Sequence, residues 1–306
     1  MSQARAAETI REFLAFQAAN TRTEYERDLG DFARFAKTAT AAEAIGAVLG
    51  ADGAAAELLV RRYVRSMTGG RRGLSSSTVN RRLSVLRQIF QKARSRGLVT
   101  WSLDLANVPA EAAKDNAGPA REQVVRVLEQ LRDRTDPASR RAYLIVRLGV
   151  ELALRRKEIC GLELSDLDLP GKRLRVLGKG RKEKQWLDYT AATAAAFERW
   201  LAVRPGRPYG PVFVNLIPGR HERLTGSAVY EIVRQAGAAS KVKMRPHGLR
   251  HTGITEAVKG AAAANLTLDQ VADFSRHKDL RMVLRYRDRE AGVQRKLATI
   301  VGQALG

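Results

Sequence analysis

The stretch His247-Gly248-Leu249-Arg250-His251-Thr252 decides how the rest of the chain is read. On a helix it sets His247, Arg250 and His251 within one turn. A lone histidine is most often a satisfied polar residue. Two imidazoles beside a guanidinium make a cationic patch suited to an oxyanion. The HxxxH spacing also invites a zinc reading, but a zinc protease needs glutamate where Gly248 stands, so no metal site is expected.

Outward from this stretch, Arg276-His277 is followed by Tyr286, nine residues after His277. Upstream, a helical pattern over Ala138–Ala153 leads to Ala153-Leu154-Arg155-Arg156-Lys157-Glu158-Ile159. Between these lie two β-type runs, Arg173–Leu177 and Glu183–Asp188, around Gly178-Lys179-Gly180 and its neighbours, which reads as a hairpin. Val212-Phe213-Val214 reads as a further extended piece, and helices follow from Leu224. Breaking a phosphodiester without a metal takes a nucleophile, a proton for the leaving oxygen and fixed positive groups at the non-bridging oxygens. Asp166 and Asp168 form no convincing magnesium cluster, so the cationic solution stands.

Composition points to the same partner. Across 306 residues, 54 Lys and Arg face 32 Asp and Glu, a formal charge of +22. That excess implies a polyanion, because each neutralised phosphate releases condensed counterions. Hydrophobic residues at 44% suffice for a full core. Cys160 is the only cysteine, which excludes an intrachain disulfide and a thiolate cluster. No uninterrupted apolar run is long enough to span a bilayer, and a cytoplasmic location is expected. Residues 6–96 read as helices only. The last of them, Thr78–Arg96, carries Arg81, Arg82, Arg87, Lys92, Arg94 and Arg96 with no acid among them, so Arg81, Arg82, Arg87 and Lys92 are expected to face DNA phosphates. Periodicity is lost from Leu98 to Ala120, where Pro109, Gly118 and Pro119 mark a linker.

These stretches together resemble the boxes of the tyrosine recombinases, the phage integrase family that includes XerC and XerD. His247–Thr252 is similar to the HxLRHT/S box, Ala153–Ile159 to GLRxSEL, Leu177–Gly180 to the turn bearing the family's lysine, and Arg276–Tyr286 to GH…Y. All four stand in family order, and Thr78–Leu98 resembles, more weakly, the family's N-terminal TxNRRLSxLR segment. Two positions depart: Ala153 and Arg276 stand where the family usually has glycine, and Arg276 brings a new charge to the site, able to shift Tyr286 or to contact DNA.

The resemblance implies a mainly α fold with a small antiparallel β-sheet. A helical, SAM-like core-binding domain would cover 1–110, a linker 111–118 and an α+β catalytic domain 119–306, the two domains forming a C-shaped clamp on DNA. It makes Tyr286 the nucleophile, Arg155 and Arg250 the phosphate ligands and Lys179 the acid, with Lys182 and Lys184 close enough to leave that choice open. His247 and His277 would donate hydrogen bonds or move protons, with Glu158 and His251 supporting. Cut and rejoined strands would pass through a 3′-phosphotyrosine and a Holliday junction, with no cofactor, metal or ATP. The stripe Val293, Leu297, Ile300 and Val301 would form an exchange helix at about 290–306. The implied partners are double-stranded DNA, a homo-tetramer on paired sites (monomer or dimer before synapsis), and a second recombinase or accessory protein, with no membrane. The alternatives are a monomeric type IB topoisomerase and a DNA-binding protein of the same fold without turnover.

Overall fold

Three helix starts in the N-terminal part are set by small polar side chains that accept an unpaired N–H group of the first turn. Thr40 accepts from Glu43, Asp52 from Ala55 and Ser75 from Thr78, at 3.2, 2.8 and 3.4 Å. The computed structural model describes residues 3–69, 73–109, 118–178, 180–277, 279–287, 298–299 and 301–303, with backbone alone at 20, 262, 285 and 287. The chain divides into two compact units, Met1–Asp115 and Asn116–Gly306.

The first unit holds α1 (Gln3–Ala15), α2 (Ala19–Ala36), α3 (Ala41–Gly50), α4 (Gly53–Thr68) and α5 (Ser76–Ser95). Its core is built on Phe32, Ile45, Tyr63, Leu83 and Phe90, and Phe32 meets Tyr63 edge-on at 5.0 Å. Asn80 fastens the segment after α5, donating to the Val108 carbonyl at 2.9 Å and accepting its N–H at 2.8 Å.

The cations of α5 are opposed by acids from other helices, which the sequence of α5 alone does not show. Arg81 pairs with Asp28; Arg82 pairs with Asp31 and, at 3.4 Å, with Asp28. Lys92 lies 3.4 Å from Glu12, and Arg96 lies 3.3 Å from Glu8 and from Glu12. Arg87 donates to Asn107 Oδ1 at 2.8 Å. A charge run read along one helix misses what packs beside it, and here α1 and α2 supply the counter-charge.

The second unit is built around α7 (Pro137–Glu151), whose start is capped by Asp136 with proline in the first turn. Tyr143, Leu144, Ile145, Val146 and Leu148 are buried almost all round, so α7 is a core helix. Before it comes α6 (Arg121–Arg132); after it α8 (Arg156–Gly161), β1 (Leu167–Asp168), β2 (Arg173–Leu177) and β3 (Lys184–Asp188). The strands form one antiparallel sheet in the order β1-β2-β3, with Arg175 opposite Trp186 and Leu177 opposite Lys184. Leu174 and Val176 of β2 face the core, and the alternate residues face out. Val212–Val214 is buried but stays out of this sheet: Pro211 and Val214 make only isolated bridges, to Glu163 and Arg223.

The unit continues with α9 (Ala191–Leu201), α10 (Gly226–Ala239), α11 (Pro246–Ala263), α12 (Leu268–Ser275) and α13 (Arg281–Arg287). α11 packs against α7, α12 and α13. A Cβ at Gly253 would stand 2.1 Å from the Val150 carbonyl, so the approach of α11 to α7 requires glycine there. A separate apolar cluster of Ala153, Ile254, Val271, Ala272 and Val283 holds α11, α12 and α13 together beneath Tyr286. Residues 298–299 and 301–303 are helical, with Val301 exposed. The rest of the expected exchange helix, like positions 111–117 of the expected linker, lies outside the described residues. No helix among the described residues is long and apolar enough to cross a membrane.

Candidate active site

After α7 the chain reverses through Ala153, which adopts a left-handed backbone with φ of 46°. That reversal puts Arg155 at the N-cap of α8. Glu158, in the first turn of α8, accepts the Arg155 N–H and Arg155 Nη1, both at 2.8 Å. Arg155 Nη2 donates to the carbonyl of Arg276 at 2.9 Å. Burial alone would raise the Glu158 carboxyl, but the charges of Arg276 and Arg155 and the Arg155 N–H hold it below its ordinary value.

The first turns of α11 leave His247 partly open to solvent and bury Arg250. Arg250 Nη1 donates to the carbonyl of Ala153 and Nη2 to that of Ser275, with His277 Nε2 3.2 Å from Nη2. Burial, with Arg155 and Arg276 beside it, pulls Arg250 down to about 9, so it remains charged at neutral pH. Three arginines thus crowd around one carboxylate, an arrangement that a bound oxyanion relieves.

His277 follows Arg276, which closes α12 in the left-handed conformation with φ of 55°. Its Nδ1 lies 2.9 Å from Ser275 Oγ, and that hydroxyl donates to the Ala272 carbonyl at 3.1 Å. The hydroxyl proton is therefore spent, Nδ1–H donates to Ser275, and Nε2 accepts from Arg250. Burial first, then Arg250, Arg155 and Arg276, lower His277 to about 4, so the ring is neutral at pH 7. His247 is also lowered, by burial and then by Arg250, Arg245 and Arg155. The ring of Tyr286, on α13, lies 4.6 Å from that of His251 and 6.3 Å from that of His277. His251 Nδ1 stands 3.4 Å from Thr255 Oγ1.

A groove of about 870 Å³ opens beside these residues, lined by Arg155, Arg156, Arg175, Arg181, Arg245, His247 and Arg250. Lys179 lies outside the described residues, and its chain neighbours Gly178 and Gly180 line the groove. Lys184 is tied to buried Asp166, Nζ to Oδ2 at 2.5 Å. Cys160, on α8, is half-buried; burial pushes its thiol up, and its carbonyl accepts from Arg223 at 2.9 Å. Among the described residues no group of three His, Cys, Asp or Glu is placed to hold a metal.

Arg155, His247, Arg250, His277 and Tyr286, separated by up to 131 positions, thus converge, with Glu158 and His251 in contact with them. Sequence reading missed Ser275, whose burial beside His277 has no sequence signal. It also offered Arg276 as a charge able to shift Tyr286 or to contact DNA, whereas the side chain is buried and bonded to Glu158 at 3.1 Å. Its place next to His277, at a usual glycine, was the available clue.

The profile of the phage integrase family matches residues 120–292, a stretch that contains all of these side chains. The chain belongs to the phage integrase family. As a member it is a tyrosine-type DNA strand transferase. A tyrosine recombinase of Synechococcus elongatus is 32% identical over 294 residues, covering 94% of this chain and 90% of that one. Another, of Synechocystis, is 30% identical over 295 residues, with 94% and 91% covered. Two solved structures share the fold. The integrase of transposon Tn1549, in complex with transposon right end DNA, gives a TM-score of 0.73 at 16% identity, covering 99% of this integrase-family chain and 100% of that one. A lambda integrase dimer bound to a core site gives 0.71 at 15%, with 95% and 97% covered.

Proposed function

We propose that this chain is a site-specific recombinase that cuts and rejoins double-stranded DNA through a 3′-phosphotyrosine at Tyr286 and a Holliday junction, needing neither metal nor ATP. The observation that carries the proposal is the convergence of Arg155 and Arg250 with His277 beside the ring of Tyr286. DNA in the complexes of the Tn1549 and lambda integrases supports duplex DNA as the partner.

Tyr286 attacks phosphorus, the bond to the 5′ oxygen breaks, and the phosphate stays on the tyrosine. The phenol proton goes to His247, whose lowered pKa leaves it neutral and able to accept it. Lys179 gives the 5′ oxygen its proton. Arg155 and Arg250 hold the non-bridging oxygens, and His277 keeps Arg250 aimed by accepting from its Nη2. Glu158 orients Arg155, and His251 supports the Tyr286 ring. The phosphotyrosine conserves the energy of the broken bond, so religation needs no nucleotide.

In the N-terminal domain, Arg81, Arg82, Arg87 and Lys92 meet phosphates by exchanging their internal partners. Lys92 gives up its partner most easily, since its side chain and that of Glu12 are each 38% exposed. The tail at 290–306 acts as the exchange helix of a tetramer on paired sites. The proposal is tested with a nicked suicide site: wild type traps a covalent adduct that survives denaturation, and Tyr286→Phe does not. An adduct at full yield in that variant sinks it.

A further inference from the structure

We infer that Arg276 is a positioning residue for strand cleavage, a buried strut that fixes the Arg155 guanidinium in place before DNA arrives. The inference rests on the recombinase reading above.

Arg276 stands where the family usually has glycine, and its backbone keeps the left-handed conformation that glycine adopts freely. A side chain there costs conformational energy, so its contacts must offset that cost. Its side chain is 1% exposed, out of reach of any DNA phosphate. Nη1 donates to the Phe274 carbonyl at 2.9 Å. Nη2 donates to the carbonyls of Leu152 at 3.1 Å and Ala153 at 2.9 Å, and to Glu158 Oε2 at 3.1 Å. Its Nε finds no acceptor among the described residues.

The hydrogen bonds of Arg155 lead back to this one residue from both sides. Nη1 goes to Glu158, which Arg276 holds, and Nη2 goes to the backbone carbonyl of Arg276. The Ala153 carbonyl is shared between Arg276 and Arg250, so the strut reaches the second phosphate-facing arginine as well. The two departures from glycine therefore touch each other and tie together the segments that carry Arg155, Arg250 and His277. A guanidinium held this way needs no reorganisation when phosphate binds.

Single-turnover cleavage of the nicked suicide site, read beside DNA affinity and thermal melting, tests this with Arg276→Gly and Arg276→Lys. Arg276→Gly relieves the backbone while removing the strut, so any loss is not backbone strain. Cleavage should fall on the order of 100-fold, with the DNA dissociation constant unchanged within about 3-fold. Arg276→Lys, able to keep some of the acceptors, should fall between it and wild type. In an Arg155→Lys background, Arg276→Gly should add less than about 3-fold, because both changes remove one unit. Wild-type cleavage in either folded variant, or effects that multiply in the double variant, overturns the inference. If Arg276→Gly does not melt cooperatively, Arg276→Lys decides alone, and an unchanged rate overturns. Absence of an adduct in wild type would instead remove the recombinase reading itself.

Discussion

His277 and Ser275 share a hydrogen bond of 2.9 Å that settles which ring nitrogen faces Arg250. The hydroxyl takes the Nδ1 hydrogen and turns the Nε2 lone pair toward the guanidinium. Ser275→Ala removes this control within a buried pocket. It should cost about 1 kcal/mol of stability and slow adduct formation roughly 10-fold through the wrong tautomer. Denaturant melts and suicide-site rates measure the two effects; imidazole nitrogen shifts unchanged from wild type would count against the assignment.

Acid should weaken the folded protein through the same ring. His277 sits at about 4 when folded, against an ordinary value near 6.5, so the unfolded chain binds more protons between these limits. Its contribution is fully present above about 6.5, declines as pH falls toward 4, and levels off below. His277→Gln should flatten stability against pH in that window, leaving the part due to His247, which is lowered in the same direction. Urea melts at pH 5 and 7 check this; an unchanged difference between them would contradict it.

The three hairpin lysines should separate by leaving-group chemistry. Replacing Lys179 by Ala should slow cleavage of ordinary DNA and spare a 5′-phosphorothiolate, which needs no proton. Lys184→Met should show no such split, because Lys184 is committed to Asp166. It should instead lower stability by roughly 1–3 kcal/mol by leaving that buried carboxylate short of a partner. A Lys182→Ala variant that reproduces the Lys179 split would reassign the acid.

Salt titrations test the proposed N-terminal contacts. Lys92→Ala should weaken binding to all sequences alike and reduce the slope of log affinity against log salt by about 1. Arg82→Ala should lower stability as well as binding, since its side chain is 17% exposed and paired with Asp28 and Asp31. Equal salt slopes for wild type and Lys92→Ala would remove Lys92 from the interface.

Much of this arrangement is legible in the residues because spacing survives folding. The turn of α11 carrying His247 and Arg250 and the hairpin strand Arg173–Leu177 fall where pattern places them. What escaped depends on neighbours distant in sequence. The acids opposing α5 come from α1 and α2, and Asp166, which looks idle, is the partner of Lys184. Val212–Val214 has the residues of a strand but no strand of the sheet beside it. The left-handed backbones at Ala153 and Arg276 were hidden because neither residue announces one, though both stand at usual glycines.

Cys160 gives the enzyme an internal clock. It is the chain's one thiol, two residues beyond Glu158 on the helix that Arg155 caps, and burial suppresses its ionisation. Only the thiolate reacts with an alkylating reagent, so labelling of the closed form is slow. Any excursion that lifts this helix from its neighbours unseats Arg155 and bares the sulfur in the same event. Alkylation under native conditions should therefore quicken with those openings, one mark per molecule, without a mutation or an attached probe.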